Sequence, residues 1–110
     1  MNATRVLVPA IAAEGYMPER KHPGDAGYDL RYFGDYQVLL LPGHRANLPV
    51  GLRLEIPAGH LGLVCPRSGV AVQHGITVLN SPGIIDSGYR GEIRVPLINL
   101  GLYPYTIKPE

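Results

Sequence analysis

An all-β fold of short strands follows from three features of this 110-residue chain. Fourteen glycines and 11 prolines make up close to a quarter of it, about twice average usage. They are spread through the sequence, and the longest stretches free of both are residues 1–8 and 35–41. An average helix needs about 11–12 residues, and an interior Pro costs about 3 kcal/mol. Between these breakers apolar residues alternate with polar ones, and turn residues recur about every 8–12 positions, the pattern of a sandwich, barrel or jelly roll. With 45% apolar and 17% charged residues, the chain holds enough for a packed core and too little charge for disorder. Without repeats, linkers or low-complexity tracts, residues 1–110 are expected to form one β domain.

The elements follow in order. Residues 5–13 carry one cation, a short apolar stretch and Pro9, which suits a first strand better than a secretory leader. Residues 36–41 form an apolar strand stopped by Pro42-Gly43. Leu52, Leu54 and Ile56 alternate with Arg53 and Glu55, a half-buried strand closed by Pro57. Residues 60–65 and 76–79 supply two more strands, and residues 66–71 between them read as a compact polar turn. Residues 80–92 place turn residues on both sides of Ile84-Ile85, the pattern of a β-hairpin. In residues 92–100 Pro96 argues for an edge strand or a bulge. Residues 105–110 read as a strand running into a turn with no following partner. Such an edge calls for another subunit or for sequence beyond Glu110.

The same numbers exclude several functions. A formal charge of +1 cannot displace the counterions that a sequence-blind nucleic-acid binder must release. No aliphatic run exceeds four residues, as in Val38 to Leu41, so no segment is expected to span a membrane. The single Cys65 cannot form an intramolecular disulfide, which fits a reducing, cytoplasmic setting. His22, His44, His60 and His74 lack metal-ligand spacing.

Three stretches carry more than structure. Asp25-Ala26-Gly27-Tyr28-Asp29-Leu30 is either a turn entering a strand or a turn presenting Asp29 to a metal-bound water. Pro66-Arg67-Ser68-Gly69 is either a surface turn or a phosphate site. In the second case Arg67 supplies a forked cation, Ser68 a hydroxyl, and Gly69 close access to backbone amides. In Asn80-Ser81-Pro82-Gly83-Ile84-Ile85-Asp86-Ser87-Gly88-Tyr89-Arg90-Gly91-Glu92, the Gly, Asn and Asp residues serve a hairpin in any case. Asp86, however, follows two isoleucines, where a carboxylate is better suited to general-base work than one in open solvent.

Together, in this order and spacing, the three stretches resemble the trimeric deoxyuridine triphosphatase (dUTPase) family. Val70-Ala71-Val72-Gln73-His74-Gly75-Ile76 and Val95-Pro96-Leu97-Ile98-Asn99-Leu100-Gly101 are similar to it as well, so the likeness runs from about Tyr16 to Glu110. The resemblance implies a jelly-roll-like (β-clip) fold, a homotrimer, and hydrolysis of dUTP to dUMP and pyrophosphate with Mg2+. It implies Asp86 as the carboxylate that deprotonates the attacking water and bonds the sugar 3′-hydroxyl. Tyr89 would lie against the deoxyribose and exclude a 2′-hydroxyl. Asn80 and the backbone through Gly83, Ile85 and Asp86 would read the uracil edge. Arg67, Ser68 and Gly69 would hold phosphates, and Asp29 would hold Mg2+ through water. The family continues past a segment like Thr106-Ile107-Lys108-Pro109-Glu110 with a further strand and a glycine-rich arm that closes over the phosphates. Neither lies within these 110 residues, so the chain is expected to be truncated, at a cost mainly in turnover and phosphate affinity and also in trimer packing. Two other readings are a binding or regulatory module that keeps the uracil pocket without turnover, and a dCTP deaminase. The close match of the third stretch to the dUTPase hairpin speaks against the deaminase.

Overall fold

The computed structural model describes residues 5–109; residues 1–4 and Glu110, the ends of the expected domain and tail strand, lie outside them. Among the described residues nine short strands and one helix occur in the order β1 (Ala10–Ala12), β2 (Val38–Leu40), β3 (Arg45–Pro49), β4 (Leu52–Leu54), β5 (Gly62–Val64), α1 (Ser68–His74), β6 (Ile76–Val78), β7 (Gly83–Ile85), β8 (Arg94–Asn99) and β9 (Tyr105–Ile107). All pairings are antiparallel: β1 with β4, β2 with β9, β5 with β7, and a three-stranded sheet in the order β3-β8-β6. The strands are brief because Pro or Gly stands within a few residues of each end.

Alternation along these strands builds two cores. Val50, Leu52, Val78, Ile93 and Val95 form one, and Leu40, Leu48, Ile76 and Ile107 form the other, with the half-buried Leu97 of β8 packed against both. The tail strand has a neighbour after all, since β9 lies on β2 with Val38 opposite Ile107, while its other edge has no partner strand among the described residues.

Three expectations are corrected. Pro96 lies on neither an edge strand nor a bulge: β8 is the centre of its sheet. Its carbonyl accepts the Leu79 N–H at 2.8 Å, so its polar edge faces β6. The missing donor falls opposite Leu79, one residue past the end of β6 at Val78, where the ladder stops anyway. Toward β3, Pro96 stands opposite Asn47, where it is not asked to donate.

Residues 66–71 are not a simple turn, because α1 begins at Ser68. Residues 70–74 contain no breaker, and Gly75 in the left-handed region (φ 71°) caps the helix by donating its N–H to the Ala71 carbonyl. The helix docks through backbone: Leu100 N–H bonds the Gly75 carbonyl at 2.8 Å. A Cβ on Gly101 would stand 2.3 Å from the His74 carbonyl oxygen, so only Gly permits the approach. Residues 80–92, finally, do not pair with themselves. Their strand β7 pairs with β5, and β8 leaves for the other sheet.

Candidate active site

The third stretch is a strand flanked by two built turns. After β6, Ser81 N–H bonds the Val78 carbonyl, and a cis Ser81–Pro82 bond leads into buried Gly83. The Asn80 carboxamide lies beside that glycine, 3.4 Å from where a Cβ would stand. At the far end of β7 the chain turns, with Tyr89 N–H donating to the Asp86 carbonyl at 3.1 Å.

Two side chains close this second turn. The Tyr89 hydroxyl donates to the Glu92 carbonyl at 2.6 Å, and its ring folds over Gly91, where a Cβ would come within 2.6 Å of that hydroxyl oxygen. The Arg90 guanidinium donates to the Ser87 carbonyl at 2.6 Å and the Tyr89 carbonyl at 3.3 Å, and stands 3.7 Å from Glu55. Sequence reasoning missed the parts played by Arg90 and Gly91. Both lie inside the quoted stretch, but a side chain returning to a carbonyl three residues back leaves no compositional mark. Asp86 is exposed, not sheltered by the isoleucines before it: Ile84 is exposed and Ile85 half-buried. Its carboxylate makes no hydrogen bond or ion pair among the described residues.

The second stretch lies at the start of α1. Arg67 is extended (φ −86°, ψ 131°) with no side-chain cap, and Arg67, Ser68 and Gly69 are all exposed. A Cβ at Gly69 would meet nothing within 4 Å, so a ligand or a second chain can approach this exposed residue closely. A cation, a hydroxyl and accessible backbone N–H groups are suitable for phosphate oxygens.

Asp29 is half-buried and pairs by its backbone N–H with the Glu19 carbonyl at 2.8 Å. Its cleft, about 200 Å³, is lined by Met17, Glu19, Arg20, Lys21, Asp29 and Arg31. Arg20 lies over the Tyr28 ring and Arg31 over the Tyr16 ring. No group of three or more metal-ligating side chains occurs among the described residues. Asp29 and Glu19 offer carboxylate oxygens among three cations. The two carboxylates fit a hydrated magnesium ion only together with substrate phosphates, which would also offset the three cations, and not a closed protein site.

Among the described residues no hydrogen bond or ion pair links the three stretches to one another. In β5–β7, Gly62 faces Ile85 and Val64 faces Gly83, so Asp86 and Tyr89 lie past one end of the pair while Arg67 follows its other end. Six residues of chain between the Asp86 end and Arg67 span at most about 20 Å when fully extended. A separate cleft of about 400 Å³, lined by Pro9, Glu55, Ile56, Pro57, Ala58, Ser87, Gly88 and Arg90, lies beside the turn that follows Asp86.

Comparison with known proteins accounts for these stretches. The dUTPase family model matches residues 13–110. The deoxyuridine 5′-triphosphate nucleotidohydrolase of Chlamydia pneumoniae is 56% identical over 96 residues, covering 87% of this chain and 66% of that protein. That of Gloeobacter violaceus is 46% identical over 107 residues, covering 97% and 73%. Among solved structures, a dUTPase from phage phi11 of S. aureus, described with a structural Mg(II) ion, superposes with a TM-score of 0.75 at 30% identity over 88% of this chain and 62% of that one. The dUTPase of EIAV superposes with a TM-score of 0.79 at 26% identity over 94% and 79%. The chain belongs to the dUTPase family. Its fold is the jelly-roll-like β-clip fold of those structures. It spans about two thirds of the length of the curated relatives it matches.

Proposed function

We propose that this chain hydrolyses dUTP to dUMP and pyrophosphate, as one dUTPase-like β domain over residues 1–110 that works in a homotrimer in the cytoplasm. Its partner is a free nucleotide, neither a nucleic-acid polymer nor a membrane. The observation that carries this reading is the turn from Asp86 to Tyr89: an exposed, unengaged carboxylate and a ring held by backbone contacts, in the stretch that matches the family.

Asp86 accepts a proton from a water whose oxygen attacks the α-phosphorus. The bond to the α–β bridging oxygen breaks, and pyrophosphate leaves. Tyr89, fixed over Gly91 by its bond to Glu92, presents its ring to the deoxyribose and leaves no room for a 2′-hydroxyl. Asn80 and the backbone of Gly83, Ile85 and Asp86 read the uracil edge. An amine in place of a carbonyl there leaves buried polar groups unpaired, which discriminates strongly. Arg67, Ser68 and Gly69 bind phosphate oxygens, so the chain's work is positioning and charge neutralisation. Asp29 would hold Mg2+ through water, the ion neutralising charge on the phosphates.

The position of Arg67 and Asp86 past opposite ends of β5–β7 supports a site shared between copies, with the phosphate-binding residues from one chain and the Asp86 turn from another. Leu63 and Ile84, cross-strand neighbours on β5–β7, are 58% and 61% exposed, and a second copy laid on that face meets both ends of the pair. Pyrophosphate release with Mg2+, measured on dUTP, dCTP, dTTP and UTP, tests the reading. Turnover confined to dUTP agrees with it. Ammonia release from dCTP contradicts it in favour of a deaminase, and dUMP binding without turnover in favour of a binding module.

A further inference from the structure

The turn after β7 is held from behind by a residue that the proposed chemistry does not use. Arg90 lines a cleft that it shares with Ser87, Gly88, Glu55 and Pro57, and neither Asp86 nor Tyr89 lines it. From there it reaches back to two carbonyls of the turn, 2.6 Å to Ser87 and 3.3 Å to Tyr89. Its other terminal nitrogen stands 3.7 Å from Glu55, just past β4. Glu55 is itself anchored, its N–H bonded to the Pro9 carbonyl at 2.8 Å. The shortest of these contacts is a charged donor on a peptide oxygen, among the stronger single bonds a side chain makes. The ion pair is exposed and adds little energy, but it turns the guanidinium toward the carbonyls. Within the turn itself, the Tyr89 N–H reaches the Asp86 carbonyl at 3.1 Å, a modest bond for a loop that must hold a general base and a sugar-facing ring at once.

We propose that Arg90 is the positioning residue of the Asp86–Tyr89 turn, oriented by Glu55, and that it sets the discrimination between deoxyribose and ribose from behind the site. The proposal rests on the dUTP reading above, and it concerns two residues outside the set that touches the nucleotide. A shift of about 1 Å in a positioned ring or carboxylate is enough to lose much of an oriented reaction. Tyr89 excludes the 2′-hydroxyl only while its ring stays put, so a loosened turn should admit UTP as it slows dUTP. Lysine cannot replace arginine fully here, because a compact ammonium cannot fork between two carbonyls and a carboxylate.

The test compares the full chain with Arg90→Met, Arg90→Lys and Glu55→Gln in two measurements. One is solvent exchange of the Tyr89 amide by NMR, and the other is kcat/KM for dUTP and for UTP. In Arg90→Met, Tyr89 exchange should rise about tenfold or more while amides of the β3-β8-β6 sheet stay protected. The dUTP/UTP preference should narrow by about tenfold, the loss expected for one charged hydrogen bond. Arg90→Lys should fall between, and Glu55→Gln should shift both readings only about twofold. Unchanged Tyr89 exchange in Arg90→Met overturns the proposal. So does faster exchange with dUTP and UTP rates falling in equal proportion, the mark of a merely structural residue. If the wild-type chain neither binds dUMP nor releases pyrophosphate, the dUTP reading fails and the discrimination role falls with it. That outcome is recognisable because the Tyr89 exchange shift in Arg90→Met persists without it.

Discussion

Asn99 is the one polar side chain fully buried among the described residues, and every polar atom of its carboxamide is engaged. The amide nitrogen donates to the Leu40 carbonyl at 2.9 Å and the Tyr103 carbonyl at 2.8 Å, and its oxygen accepts the Gly101 N–H at 2.8 Å. One side chain thereby ties β2, the end of β8 and the connection to β9. Asn99→Asp keeps the size and the bond to Gly101 but loses both donors and turns a charge toward two carbonyls. It should destabilise the fold by about 3 kcal/mol or more, and more than Asn99→Ser does, as a denaturant melt would show. At this scale the sequence singles out residues for a nucleotide site. Asp86, Tyr89 and Arg67 are all exposed and available. It was silent about what holds them. Arg90, Gly91 and Asn99 act through backbone carbonyls and amides supplied by the fold, and no residue pattern announces those partners.

At the scale of elements, the breakers gave the fold class, and alternation found β4, with Leu52 buried, Arg53 exposed and Leu54 half-buried. Alternation fails where both sides of an element are covered unevenly. β3 carries Pro49 and was not foreseen, and residues 70–74 are too few to show helical periodicity. Helix α1 buries no side chain fully. It keeps its place through Val70 packed against the second core and through the contact of Gly75 and His74 with residues 100 and 101. Gly101→Ala should therefore push α1 away from the end of β8. The expected cost is about 1–3 kcal/mol, or a fall in Tm of about 4–8 °C for each kcal/mol, checked by thermal denaturation. Because α1 carries Ser68 and Gly69, KM for dUTP should rise in the same variant while the preference for dUTP over UTP is kept, since that preference belongs to the other end of β5–β7.

The whole molecule is extended for its length, 48 × 29 × 23 Å with a radius of gyration of 14.9 Å, against about 13 Å for a compact domain of 110 residues. Two small cores, the exposed Leu63–Ile84 pair on β5–β7 and an open edge on β9 among the described residues are surfaces that the proposed homotrimer would cover. The family was legible in three motifs, but their mutual arrangement was not, since one chain keeps Arg67 and Asp86 at opposite ends of a strand pair. A shared site makes a sharp prediction for mixtures. Arg67→Ala and Asp86→Asn should each be nearly inactive alone, while refolding them together in equal amounts should restore activity at about a quarter of the sites by random assortment. No recovery in the mixture would place both residues in one chain's site.

The central claim, that Asp86 is the general base of a dUTP hydrolase, is tested most directly by single-turnover pyrophosphate release from dUTP with Mg2+ by the wild-type chain and by Asp86→Asn, with dUMP binding measured on both. Release by the wild type is expected, with a loss of about 100-fold or more in the variant, the range of a positioned base, and dUMP binding retained to within about tenfold. Release at an unchanged rate by Asp86→Asn would contradict it.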